Sequence, residues 1–289
     1  MRWVRRCMIK SGTLNIDMNF DKLCNAILER VFHGTAHDVV GNFSLNKIGS
    51  GEGNIAYGWG LYFAENPNVA QDYRRGLSHR HLLNKIREVY DELDSSEDAI
   101  EALKDAGLSK KEINLVQALQ KDDFLGFDYP HQAVNAVLKE PQNFELSDET
   151  KMAIANMGNL YEVNILADKE NNFIQWDKPL NQQSEKVQNA VREATNDIWK
   201  SDVGSYDGSV IYNGLVEDLK TFDKNNPQKN ASMRLLKAGI LGIRYLDQGS
   251  RGTGEGTHNY VIFDPKIIQI VAQNGEFVMS SKTPENVEV

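Results

Sequence analysis

Apolar positions recur along this chain with two different periods, and the places where the period changes divide it into parts. Two short apolar runs, Val31-Phe32 and Leu61-Tyr62-Phe63, lie against glycines, as strands do where backbone closely approaches another group. Ahead of them, DKLCNAILER over 21–30 places Leu23, Ala26 and Ile27 on one side and predicts a helix beside that region. Asn66 suits an N-cap and Pro67 a first helical position, so a second helix is predicted after the strand LYFA. On it Ala70 and Tyr73, three residues apart, share a face. Folded against the strand, that helix would set Tyr73 across a slot from Tyr62.

From 78 to about 157 the period is helical throughout. LSHRHLLNKIREVYDELD, SSEDAIEALKDAG, SKKEINLVQALQ and YPHQAVNAVLKEP read as helices, with Ser95, Ser109 and Ser147 as caps and Gly107 as a stop. The pattern predicts an all-helical insertion, about 77–157, between two parts of a sheet core. It packs as scaffold, recognises a partner or lids a cleft.

NLYEVNI over 159–165 then alternates as a strand does, and a helix is predicted over about 184–200. Val210-Ile211-Tyr212 reads as a short buried segment. A short helix over 231–238, stopped by Gly239, precedes strands over 241–246, 260–263 and 267–271. The expected fold class is therefore α+β, a split β-sheet core with flanking helices, in one domain over 1–289. The polar stretch 280–289 reads as a disordered tail.

Composition narrows the picture. The chain has 289 residues, 40% hydrophobic and 25% charged, with a net charge of -9, which argues against generic affinity for nucleic acid or anionic membrane. Cys7 and Cys24 are its two cysteines, so no disulfide framework is implied and a reducing, cytoplasmic setting fits. The basic opening MRWVRRCMIK lacks a continuous apolar core, against a cleaved signal peptide.

The candidate chemistry lies in 31–75. His33-Gly34-Thr35, then Gly60-Leu61-Tyr62-Phe63-Ala64, then Tyr73, resembles the donor site of the diphtheria-toxin-like and poly(ADP-ribose) polymerase branch of ADP-ribosyltransferases. GSGEG with GWGLYFAE and NYVIFD more closely resembles the ADP-ribosyltransferase domain of phage polyvalent proteins. The resemblance covers 31–75, and more loosely 159–165 and 233–271. It implies NAD as co-substrate, no metal, and action in a bacterial host cell as a toxin or effector. His33 would bond an NAD ribose hydroxyl, Gly34 would pin the nicotinamide carboxamide, and Tyr62 and Tyr73 would sandwich the ring. Thr35, Phe63 and Ala70 count among the positions lining the NAD site.

Two positions depart from the pattern. Where the family carries a helix serine that bonds the carboxamide, this chain has Ala70. Where it opens a late strand with a catalytic glutamate, this chain has Asn259. Asparagine bonds a ribose hydroxyl but supplies neither charge nor a general base. Glu255, four residues upstream, is the alternative acid. Its loop, GTGEG over 252–256, echoes GSGEG over 49–53; the pair reads either as two turns or as loops closing over the pyrophosphate.

The expected function is mono-ADP-ribosyl transfer from NAD to a macromolecule, a protein before a nucleic acid. The alternatives are an NAD glycohydrolase and an inert module that binds NAD or ADP-ribose. His79 and His81 stand too close in sequence to share a helix face and offer no good metal pair. Arg74 and Arg75 would reach phosphate or complete a helix terminus, and Asp247 and Arg251 would brace the Glu255 loop. The sequence has no GxSxG, HExxH or CxxC motif.

Overall fold

The computed structural model describes residues 30–48, 56–92, 99–195, 203–252, 254 and 256–278. The expectations at 21–29, 49–53, Ser95, Glu255 and 280–289, and both cysteines, lie outside the described residues, while Arg30, the last residue of the helix expected over 21–30, is in a strand.

The two glycine-flanked runs form β1 (Arg30–Thr35) and β2 (Leu61–Ala64). Helix α1 (Pro67–Glu92) starts where Asn66 and Pro67 predict, the Asn66 side-chain oxygen accepting from the N–H of Asn68 at 3.0 Å. It runs through position 77 without a break, so the expected boundary there falls inside one continuous helix. The helices α2 (Ala99–Asp105), α3 (Lys110–Lys121), α4 (Pro130–Lys139) and α5 (Asp148–Ala155) follow. Ser109 and Glu112 form a capping box at α3, Ser147 caps α5, and Gly107 takes the positive φ of +88° that ends α2. Leu82, Ile86, Leu103, Leu115 and Val134 bury completely in a core these helices make among themselves.

Strand β3 (Asn159–Ile165) alternates buried and half-buried residues as its sequence predicts. Strand β4 (Phe173–Gln175) is short and buried throughout, so no alternation announces it. Helix α6 (Glu185–Thr195) lies within the predicted 184–200. The segment read as short and buried is instead helix α7 (Gly208–Lys220): Ile211 and Tyr212 are buried, but Val210 is 49% exposed. Its Gly208 masks the helical signal because a β-carbon there would come within 2.3 Å of the Gln175 carbonyl. Helix α8 (Pro227–Lys237) leads to β5 (Gly242–Leu246), β6 (His258–Ile262), β7 (Ile268–Gln273) and β8 (Glu276–Phe277).

The fold is mixed α and β, with one eight-stranded sheet in the order β4-β5-β6-β2-β1-β3-β7-β8. The β4–β5 pair is parallel and the others are antiparallel. Residues directly opposite in antiparallel pairs share a face. One row therefore crosses four strands as Phe32, Ala64, Asn259 and Tyr245, and the next holds Tyr62, Val261 and Ile243. On that face the sheet packs against α6, α7 and α8 through Val191, Ile211, Leu215 and Leu235. The other face, with Val31, Phe63, Tyr161 and Tyr260, carries a separate core. No described helix is long and apolar enough to cross a membrane.

Candidate functional site

The sheet opens between β1 and β2. Strand β1 pairs with β3 along its whole length, yet its registered pairing with β2 is confined to Phe32 opposite Ala64. Leu160 of β3 spends its N–H and C=O on Asn274, at 2.9 and 2.8 Å. Gly34, opposite Leu160, is thereby a non-hydrogen-bonded pair with it, and Gly34 turns its own N–H and C=O toward the opening. His33 bridges the gap: its Nδ1 donates to the carbonyl of Tyr62 at 2.7 Å. A carbonyl only accepts, so neutral His33 carries its proton on Nδ1 and a lone pair on Nε2. Burial pushes its pKa below the ordinary value, against the raising effect of that bond. The ring rests among Phe43 and Phe63, at centroid distances of 5.0 and 5.3 Å.

Helix α1 closes over the other face of β1. A β-carbon on Gly34 would lie 1.9 Å from the Ala70 carbonyl oxygen and 2.6 Å from the Arg74 nitrogen. Glycine is thus demanded here by the helix, whereas the sequence reading had assigned it to ligand approach. Ala70 is buried in the same contact. Arg74 does not reach for phosphate; its guanidinium donates to the carbonyls of Met157 at 2.7 Å and Ala155 at 3.0 Å.

Tyrosines gather on the face beside the opening. The Tyr62 hydroxyl donates to the Gly58 carbonyl at 2.7 Å and accepts from the Tyr57 N–H at 3.2 Å. The turn carrying those groups is held from behind by Tyr212, whose hydroxyl accepts from the Trp59 N–H at 3.0 Å. Tyr57 stacks on Tyr245, with centroids 3.9 Å apart and planes 9° from parallel, and Arg251 covers Tyr57 at 4.8 Å. Burial raises the Tyr62 and Tyr245 phenols well above their ordinary range, against the lowering effect of the Tyr57 N–H at Tyr62, and each is raised further by Tyr73. Tyr73 therefore approaches the cluster from α1 while remaining 61% exposed. Among the described residues Tyr62 and Tyr73 make no ring contact with each other, so the expected slot between them is not filled by the pair itself.

Asn259 stands between Ala64 and Tyr245, 9% exposed, with an Oδ1 that has no hydrogen-bond partner. Its side chain acts on the Tyr245 phenol, countering part of the rise that burial gives that group. The loop that precedes β6 is braced as expected: Asp247 accepts from the Ser250 N–H at 2.7 Å and from the Thr257 hydroxyl, and Arg251 lies 3.7 Å from Asp177.

The remaining predicted positions fall elsewhere. Phe63 alternates to the opposite face from Tyr62 and is 2% exposed in the core, packed against His33 rather than lining the tyrosine cluster. Thr35 spends its hydroxyl oxygen on the His37 N–H at 3.2 Å. His81 pairs with buried Glu112 at 2.7 Å, and no group of His, Cys, Asp or Glu among the described residues is arranged to hold a metal.

Sequence reasoning missed Tyr245 and Tyr57, although the alternation in GIRYL sets Tyr245 on the face of Ile243. It also missed Glu65. That carboxylate accepts from the His258 N–H at 2.8 Å and the Tyr260 hydroxyl at 2.8 Å, with Arg244 at 3.7 Å. Burial works against its ionisation, but the bonds from His258 and Tyr260 and the Arg244 charge outweigh it and hold the pKa down to about 2. Side chains at 258 and 260 alternate away from Asn259, so this network braces the β2–β6 joint from behind.

No protein-family model matches the chain, and neither does any curated protein or solved structure.

Proposed function

We propose that this chain is a mono-ADP-ribosyltransferase with an ADP-ribosyltransferase-like core, moving one ADP-ribose from NAD to a macromolecular acceptor and releasing nicotinamide. The observation that carries the reading is the opening between β1 and β2, where the Gly34 backbone faces a gap beside the strand of Tyr62, under the helix that carries Tyr73.

On this reading the Gly34 N–H and C=O bond the carboxamide, a planar group with one acceptor and donors to match. The nicotinamide ring enters the tyrosine cluster, where neutral phenols attract a pyridinium by about 1–2 kcal/mol per ring once water is excluded. His33 Nε2 accepts a ribose hydroxyl. The bond from C1′ to the pyridinium nitrogen breaks, nicotinamide keeps the electron pair, and the sugar passes through an oxocarbenium-like state. The acceptor's nucleophile then bonds C1′ and loses its proton to solvent. Asn259 orients a ribose hydroxyl without contributing charge.

That missing charge favours a second reading, a module that binds NAD or ADP-ribose without turnover. Nicotinamide release by the purified protein, measured with and without bacterial lysate, separates the two. Release that needs lysate supports transfer, and release without it marks a glycohydrolase. NAD-dependent thermal stabilisation without release leaves the binding module. Absence of any NAD effect sinks both.

A further inference from the structure

We infer that Tyr245 is a positioning residue of this site: it fixes the Asn259 amide so that Oδ1 faces the ligand and accepts a hydroxyl of a ribose vicinal diol. The inference rests on the reading of the site as one for NAD.

An asparagine amide is nearly symmetric in shape, so its bonding partners alone decide whether it presents an acceptor or a donor. Tyr245 lies directly opposite Asn259 in the β5–β6 register, and the two side chains leave the same face of the sheet. From that position the Asn259 side chain lowers the Tyr245 phenol's pKa, as a hydrogen-bond donor does, while its Oδ1 is buried and has no partner among the described residues. The bonded end is therefore the NH2, which donates to the phenol oxygen. The phenol's own proton is not consumed by that bond. Tyr57, stacked at 3.9 Å, keeps the Tyr245 ring from swinging, and Tyr57 is itself tied through its N–H to the Tyr62 hydroxyl.

A buried acceptor left without a donor is costly, and such groups in folded proteins call for an explanation. A ligand hydroxyl supplies the missing donor. The oxygens of an ionised pyrophosphate do not, because they carry no proton to donate. This corner thus takes the sugar and excludes the pyrophosphate. Sequence reasoning assigned Asn259 a ribose contact but gave no reason for the amide to point its oxygen inward; Tyr245 provides it.

The test compares dissociation constants for NAD and for its analogue lacking the 2′-hydroxyl on the nicotinamide ribose. Wild type is expected to prefer NAD by about tenfold, the usual scale for one well-made hydrogen bond. Tyr245→Phe, checked for folding by thermal unfolding, is expected to lose that preference, as is Asn259→Ala. A merely structural role for Tyr245 would weaken both ligands equally, and a preserved preference in Tyr245→Phe overturns the inference while leaving the NAD reading intact. Wild type that binds neither ligand overturns both. Amide-proton exchange at the Asn259 side chain of the wild type gives a readout independent of any variant: slow exchange is expected, and exchange as fast as in a free amide overturns the bond to Tyr245.

Discussion

Gly34 of β1 and Ala70 of α1 meet backbone to backbone, so closely that a β-carbon on Gly34 would stand 1.9 Å from the Ala70 carbonyl oxygen. Neither partner yields easily. The strand is held by β3 along its length, and the helix is anchored by Arg74 to the carbonyls of Met157 and Ala155. Gly34→Ala is therefore expected to lose at least about 1–3 kcal/mol of stability in urea denaturation, the usual cost of overpacking. Stability equal to wild type would mean that α1 does not seat on β1 as described. Because the same contact seats the helix that carries Tyr73, the variant is also expected to bind NAD less tightly.

Tyr73 and Tyr62 divide the work differently. Tyr73 is 61% exposed, so Tyr73→Ala is expected to change stability by no more than about 0.5 kcal/mol. NAD affinity, measured by calorimetry, is expected to fall about fivefold to thirtyfold with the loss of one cation–π face. Tyr62→Phe keeps its ring but gives up the bonds to Gly58 and Tyr57. Its expected cost is about 1 kcal/mol of stability, with a smaller loss of affinity than Tyr73→Ala. The reverse order of affinities would place the ligand away from Tyr73.

Much of this arrangement is written locally. The caps at Asn66, Ser109 and Ser147 and the alternation of β3 are short-range signals, and they locate their elements to within a residue or two. The motif residues His33, Gly34 and Tyr62 likewise come together because they lie on neighbouring strands. Tyr245 is different. It joins the cluster only through the pairing of β5 with β6 and through Tyr57 from a distant turn, which no local periodicity encodes. Phe63 was misplaced for the opposite reason: a motif groups it with Tyr62, while the two-residue period of a strand sends adjacent side chains to opposite faces.

Glu65 makes stability depend on pH in the acid range. Its folded pKa of about 2 lies below the ordinary carboxylate value of 4.5, so the unfolded chain binds the proton more readily. The stabilisation is complete above about 4.5 and is lost as pH falls toward 2. With about a quarter of the side chain in water, its contribution is on the order of 2–3 kcal/mol. Glu65→Gln is expected to be less stable than wild type at pH 7 and to converge with it only as the pH reaches about 2. A stability gap independent of pH would assign the loss to altered hydrogen bonding rather than to charge.

Asn259→Glu places a carboxylate where the proposed reaction develops positive charge on the sugar. The site leaves a route for it: Ala64 on one side is small, and Tyr245 on the other has a phenol to donate. If absent charge limits turnover, nicotinamide release is expected to rise by about a hundredfold or more, the scale of a well-placed acid–base group. Burial raises the pKa of a carboxyl introduced there, so the gain should grow as pH increases through that raised value and vanish below it. Asn259→Gln has the same length without the charge and is expected to show no gain at any pH. Equal behaviour of the two variants across the pH range would show that charge at this position does not act on the reacting sugar. It would move the reading toward a binding module, because a site that holds NAD beside a carboxylate without accelerating bond cleavage is not arranged for that chemistry.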